Sequence, residues 1–257
     1  MTLVQTEPKG IKIWSTDIKK VTMRPWGVET QLRPLWWEPW ANTVAYRPLN
    51  STTTVNDLSW NNYTLTQSWW IFTTVDGIDC YSYNWGGYLQ LSSAPKIPSW
   101  NSDRTIHVRV YPRGYSSSYI KYFIYYGYVT TSENTATGIA ITTQWQPYTT
   151  IGRTGVVWSN LSFTNNWSLI TMTLSGVNVY LYQNGVLKWS DWASSRYPIN
   201  TPAISSSVPL VFLRRYSTDN NGKVDAALSE VIIEDRTRTA QEIADYYNLT
   251  KSKYWAS

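Results

Sequence analysis

Few residues in this chain invite a chemical reading. The stretch Glu230-Val-Ile-Ile-Glu234-Asp235 puts two carboxylates on one side of a strand, because strand side chains alternate with a period of two. Paired acids of this kind suggest glycoside hydrolysis, where one protonates the leaving oxygen and the other attacks or activates water. A retaining pair needs its carboxyls about 5–5.5 Å apart, whereas four strand residues span about 13 Å. Glu230 and Glu234 are therefore expected to be solvated charges near a strand end, and no catalytic residue is assigned. His107 is the single histidine. It falls on the polar side of TIHVRVYP with no Ser-His-Asp motif around it, so solvent exposure or a simple hydrogen bond is expected. No Walker or dinucleotide glycine pattern is present.

Binding chemistry has more to draw on. A flat aromatic ring offers an apolar face to the C–H face of a pyranose, while neighbouring Asn, Asp and Ser satisfy its hydroxyls. The chain holds 20 Tyr and 16 Trp but only 4 Phe. Tyr115, Tyr119, Trp145, Trp158, Trp189, Trp192 and Tyr216 lie in or near loops rich in such polar partners and are the candidate ligand-binding residues. Core packing is the competing role for each of them.

Any such surface needs a frame, and composition bounds what that frame can be. With 257 residues, 42% hydrophobic and 15% charged, the chain can bury a core and is not a disordered polymer. Its net charge of +5 comes from 22 Lys and Arg scattered along the sequence, not striped, which argues against nucleic acid as a partner. Cys80 is alone, which excludes an intrachain disulfide, and is expected to be a small buried apolar residue. The stretch MTLVQTEPKGIKIW has no apolar core of signal-peptide length. No run reaches the roughly 18 apolar residues of a membrane span. Work outside a cell would then require another route of release, such as departure with a phage particle.

Strand patterns fill the chain. Residues 1–42 read as a separate anchoring segment and linker, with IKKVTM and VETQLRP as two short strands around RPWG. Pro25, Pro34 and Pro39 interrupt any helix there. From residue 43 onward, TVAYRPL, YTLTQ, DCYSY, YLQLS, TIHVRVYP, YIKYFIYYGYV, TGIAITTQ, SLITMTLSG, VNVYLYQNG, PLVFLRR and LSEVIIED are expected strands. Within TIHVRVYP, Ile106, Val108 and Val110 point one way and His107 and Arg109 the other. Asn184-Gly185 marks a hairpin turn. One helix is expected over 239–248, capped by Thr239 with Glu242 three residues later, with Ile243, Tyr246 and Tyr247 as its apolar stripe. Strands in this rhythm without interleaved helices imply a sandwich or barrel.

The second half of the chain resembles a known family. Trp167 leading a strand, the Asn184-Gly185 hairpin, Pro209-Leu210, Gly222 to Asp225, Val231 to Ile233, and Arg236 to Ile243 follow one another in the order and spacing of laminin G-like domains. These belong to the concanavalin A-like lectin/glucanase group. The first half matches more loosely, through VNDLSWNNYTL and YNWGGYLQL. The resemblance implies an all-β jelly-roll sandwich of two antiparallel sheets over residues 43–257, preceded by a short N-terminal hairpin module and closed by a C-terminal helix. Glucanases of the group carry an E-x-D-x-x-E strand, which this sequence does not reproduce. Several related domains hold calcium at the sandwich rim, and Asp57 and Asp225 match acidic positions of the family. Calcium takes six to eight oxygens, so no cofactor is required and turn formation is the competing role of both residues.

The same resemblance raises a question about tryptophan. Where the family has glycine this chain has Trp60, in the turn VNDLSWNNYTL, and where it has a small turn residue the chain has Trp85. Trp100, in PSWNSD, looks like another bulky residue in a glycine slot. One reading is that several tryptophans are mistranslated glycines, since some bacterial lineages and their phages read UGA as glycine. The other is that they are genuine and exposed at loop tips. Trp167 is genuine on either reading.

The function expected from the sequence is non-catalytic recognition or adhesion, with a glycan or host-surface polysaccharide as the leading ligand. A phage tail-fibre or other virion appendage at the virion or extracellular surface fits this reading. Residues 1–42 would then contact other virion or surface proteins or a homo-oligomeric partner. A purely structural virion protein and a glycoside hydrolase or lyase are the alternatives.

Overall fold

The computed structural model describes residues 3–7, 10–14, 22–23, 30–31, 42–48, 59, 61, 63–114, 121–127, 136–141, 147–151, 154–157, 166–192, 201, 203–205, 208–213 and 224–254. The chain separates into two compact units, Met1–Ala41 and Asn42–Ser257. In the first unit, Leu3–Glu7 (β1) pairs antiparallel with Gly10–Trp14 (β2). Thr22–Met23 (β3) pairs with Thr30–Gln31 (β4), as IKKVTM and VETQLRP suggested. The β1–β2 hairpin was not anticipated.

The larger unit is built from Thr43–Pro48 (β5), Thr66–Val75 (β6), Ile78–Leu91 (β7), Arg104–Gly114 (β8), Lys121–Gly127 (β9), Ala136–Ile141 (β10), Pro147–Ile151 (β11) and Thr154–Val157 (β12). It continues with Ser168–Ser175 (β13), Asn178–Gln183 (β14), Val186–Trp192 (β15), Leu210–Phe212 (β16) and Asp225–Glu234 (β17), and closes with the helix Ala240–Tyr254 (α1). All pairings are antiparallel. One sheet runs β12-β11-β10-β9-β16-β7, and the other runs from β7 through β17, β8, β13 and β14 to β15, with β5 also on β17. This is the expected jelly-roll sandwich.

The two sheets share β7. Its end, Leu89–Leu91, pairs with β16, while Tyr81 and Ser82 pair with β17. DCYSY and YLQLS are therefore one strand of 14 residues instead of two. Against β6 the register jumps from Tyr83 opposite Trp70 to Tyr88 opposite Ser68. A bulge of this kind bends a strand and lets it pass from one sheet to the next. Trp85 lies at this corner inside β7, not in a turn between strands.

Alternation fixes the core. Ile106, Val108 and Val110 of β8 and Ile170, Met172 and Leu174 of β13 face Ile139 of β10 and Leu210 and Phe212 of β16 in one buried cluster. Cys80 is fully buried as expected, and burial pushes its thiol up to about 11, which leaves it unreactive at neutral pH. The β14–β15 turn has Asn184 and Gly185 both at positive φ, 52° and 79°. A Cβ on Gly185 would meet Tyr247 Cβ at 3.0 Å and Ala244 Cα at 3.1 Å, so this hairpin tip docks against α1. Gly185→Ala is accordingly expected to lower stability by about 1–3 kcal/mol through overpacking and backbone strain, measured as a lower urea midpoint at unchanged slope.

Candidate functional site

The acids and the histidine singled out in the sequence come together, but not in solvent. Side chains on the second face of β8 and β17 are covered by α1. Thr239 and Glu242 start that helix as a capping box: Thr239 N–H donates to Glu242 Oε2 at 2.8 Å, and Glu242 N–H donates to Thr239 Oγ1 at 3.2 Å. The helix then lays Ile243 and Tyr246, both buried, onto the sheet.

Beneath it Glu234 is fully buried. Arg238 clamps it bidentately, Nε donating to Oε2 and Nη2 to Oε1, each at 2.6 Å. His107 is also fully buried, so of its two expected fates, solvent exposure or a simple hydrogen bond, the second holds. Its Nδ1 lies 2.8 Å from Thr171 Oγ1, and its ring packs edge-on against Tyr246 at 5.2 Å between centroids. Nε2 stands 3.8 Å from Glu234 Oε2, too long for a hydrogen bond. Glu230 is likewise buried; Tyr246 donates its hydroxyl to Oε2 at 2.5 Å, and Arg109 Nε approaches the same oxygen at 3.5 Å. Arg109 also donates to Thr250 Oγ1 at 2.8 Å. Glu230 and Glu234 do share a face, but they are not solvated charges.

The electrostatics of this layer follow from its contacts. Burial alone would raise the Glu234 carboxyl above its usual 4.5, but the two Arg238 hydrogen bonds and the neighbouring His107 outweigh it and hold the group down at about 2. Burial likewise works against the Arg238 charge, yet its partners leave the guanidinium raised. These groups are spent on fixing α1 to the sheet. No face of Glu230 or Glu234 is open to a sugar.

A second polar centre, not anticipated from the sequence, sits at the turn before β8. Arg104 is fully buried, its Nη1 donating to Tyr126 Oη at 2.6 Å and its Nε to Ser102 O at 3.0 Å, while Nη2 donates to Trp100 O. Trp100 N–H donates to Thr201 O at 2.5 Å, and the hydroxyls of Thr201 and Thr137 lie 2.7 Å apart. Trp100 itself is 58% exposed. Nothing in single-sequence periodicity marks Arg104, at the start of an apolar strand, as the pin of this loop.

Of the candidate sugar-binding residues, Trp189 of β15 is half-buried and packs on the main core. Trp192 ends β15 opposite Asn178. Tyr115, Tyr119, Trp145, Trp158 and Tyr216 lie outside the described residues, as do Trp60 and Asp57. The carboxylate of Asp225 is exposed and ion-paired with Arg113 at 3.0 Å. Among the described residues no group of three or more His, Cys, Asp or Glu could hold a metal ion, and no helix is long and apolar enough to cross a membrane.

Solved structures with a similar fold include the binding domains of two toxins and a domain of an arabinanase. The binding domain of Paraclostridial Mosquitocidal Protein 1 superposes with a TM-score of 0.63 at 16% identity, over 82% of this chain and 53% of that one. The binding domain of botulinum neurotoxin serotype G gives 0.60 at 17% identity, over 82% and 52%. Domain 4 of AbnA, an extracellular arabinanase of Geobacillus stearothermophilus solved with arabinotriose, gives 0.58 at 14%, over 79% and 97%. The chain thus spans about half the length of the two toxin domains and nearly all of the arabinanase domain. No curated protein sequence matches it. Residues 84–244 match the model of the laminin G-like family Laminin_G_3, and the chain belongs to the concanavalin A-like lectin/glucanases superfamily.

Proposed function

We propose that this protein is a non-catalytic recognition module that binds glycans. The observation that carries the reading is the fate of the paired acids: Glu230 and Glu234 are sealed under α1 and committed to Tyr246, Arg109 and Arg238. A glycosidase needs two carboxyls flanking an accessible bond, and this pair flanks none. The similarity to two toxin binding domains, and to an arabinanase domain solved with arabinotriose, supports the same reading. Ligand contacts then fall to the aromatic candidates of the sequence, Tyr115, Tyr119, Trp145, Trp158 and Tyr216, together with Trp189 and Trp192 of β15. Calcium held through Asp57 would be an addition, not a requirement. A small N-terminal unit preceding a lectin-like domain suits an appendage of a phage virion or another surface, with residues 1–42 making the protein contacts.

The full chain applied to an immobilised glycan array that includes arabino-oligosaccharides and sialylated glycans should bind at least one class saturably. The bound glycan should be recovered intact. Absence of binding across the array at high micromolar protein overturns the proposal. Release of new reducing ends overturns its non-catalytic part.

A further inference from the structure

We infer that position 100 is a glycine in the organism that makes this protein, encoded by a UGA codon that its translation reads as glycine. The backbone carries the inference. Among the described residues, Asp76, Trp100, Asn184 and Leu213 are the non-glycine residues with left-handed φ, at 50°, 54°, 52° and 53°. Asp and Asn tolerate that region because their short polar side chains bond locally. Leu213 is fully buried, so packing holds it there. Trp100 has neither support, for the residue is 58% exposed.

What imposes the conformation is bonding to the main chain of residue 100, not to its side chain. Trp100 N–H is tied to Thr201 O, and Trp100 O accepts from the buried Arg104 guanidinium. Both bonds would form equally well with no side chain present, and a residue without Cβ adopts this φ freely. The bulkiest side chain therefore stands where the fold needs none. Composition points the same way: 16 Trp exceed 13 Gly, although glycine ordinarily makes up about 7% of a chain. UGA is the one codon read as glycine under some genetic codes and as tryptophan under others, so a single changed reading moves residues from one count to the other. Trp167, buried and hydrogen-bonded through its indole N–H, shows what a genuine tryptophan looks like in the same fold.

Two measurements test this. The coding DNA should show UGA at position 100 and UGG at position 167. Melting of the full chain should show Trp100→Gly raising Tm by about 2–4 °C over the chain as written. Trp100→Ala, which removes the ring but keeps the Cβ strain, should melt below Trp100→Gly. A UGG codon at position 100 overturns the inference. So does a Tm of Trp100→Gly that is unchanged or lower, the result expected if the indole were a ligand platform or a packing residue. Neither measurement depends on whether the protein binds glycans.

Discussion

Glu234→Ala should destabilise the larger unit by about 3–5 kcal/mol, the cost of leaving a buried charge without its partner. The variant removes both of the shortest bonds of the Arg238 guanidinium, which is 6% exposed, and leaves its 3.3 Å bond to Glu242. The damage should concentrate at α1, so amide exchange over 240–254 should accelerate more than exchange in β13. The same group sets an acid limit. Its carboxyl is held at about 2 against an ordinary 4.5, so its contribution is fully present above about pH 4.5 and is lost as pH falls through 2. Urea midpoints of the wild type should therefore fall steeply between pH 4.5 and 2, while those of Glu234→Ala should fall less over that interval. A flat acid limb in the wild type would contradict the buried pair.

Trp167→Gly should cost about 3–5 kcal/mol and lower Tm by on the order of 10 °C. Trp167 is 3% exposed, packs with Ile78, Cys80 and Ala227, stacks at a tilt on Tyr111 with centroids 5.6 Å apart, and donates its indole N–H to Val75 O at 3.2 Å. Truncation leaves a cavity beside the β6–β7 turn and removes the indole hydrogen bond to Val75 O. One chemical change, tryptophan to glycine, thus has opposite expected signs at positions 100 and 167. Differential scanning of both variants alongside the parent reads the two signs in a single experiment. A small effect at 167 would mean that the Tyr111 side of the sheet repacks.

The sequence carried the frame well because a period of two is a local property. TIHVRVYP put Ile106, Val108 and Val110 on one face and His107 and Arg109 on the other, and both faces are as expected. What alternation cannot supply is the identity of whatever lies over a face. Glu230 and Glu234 were assigned to water and His107 to water or a simple hydrogen bond, yet α1 covers this face and the two carboxylates are paired with Arg109 and Arg238. The helix was legible from its capping box and from Ile243 and Tyr246, but its landing place depends on contacts between residues more than a hundred positions apart, such as Arg109 with Thr250. Arg104 was missed for the same reason: its partner Tyr126 lies across the sandwich. The strand β7 was split in two because YNWGG reads as a turn, whereas the chain uses it to bend between sheets.

The position of β17 bears on how the chain can be made. This strand lies between β8 and the β7–β5 side of its sheet, yet residues 225–234 are synthesised long after those neighbours. Until they leave the ribosome, β8 presents an open edge beside a row of apolar side chains, and no local pairing can close it. Folding that waits on such distant partners is slow, and unpaired edges invite association with other chains. Ribosome-bound chains released before residue 225 should accordingly be captured by chaperones or aggregate, while chains carried past residue 254 acquire protease resistance in one step.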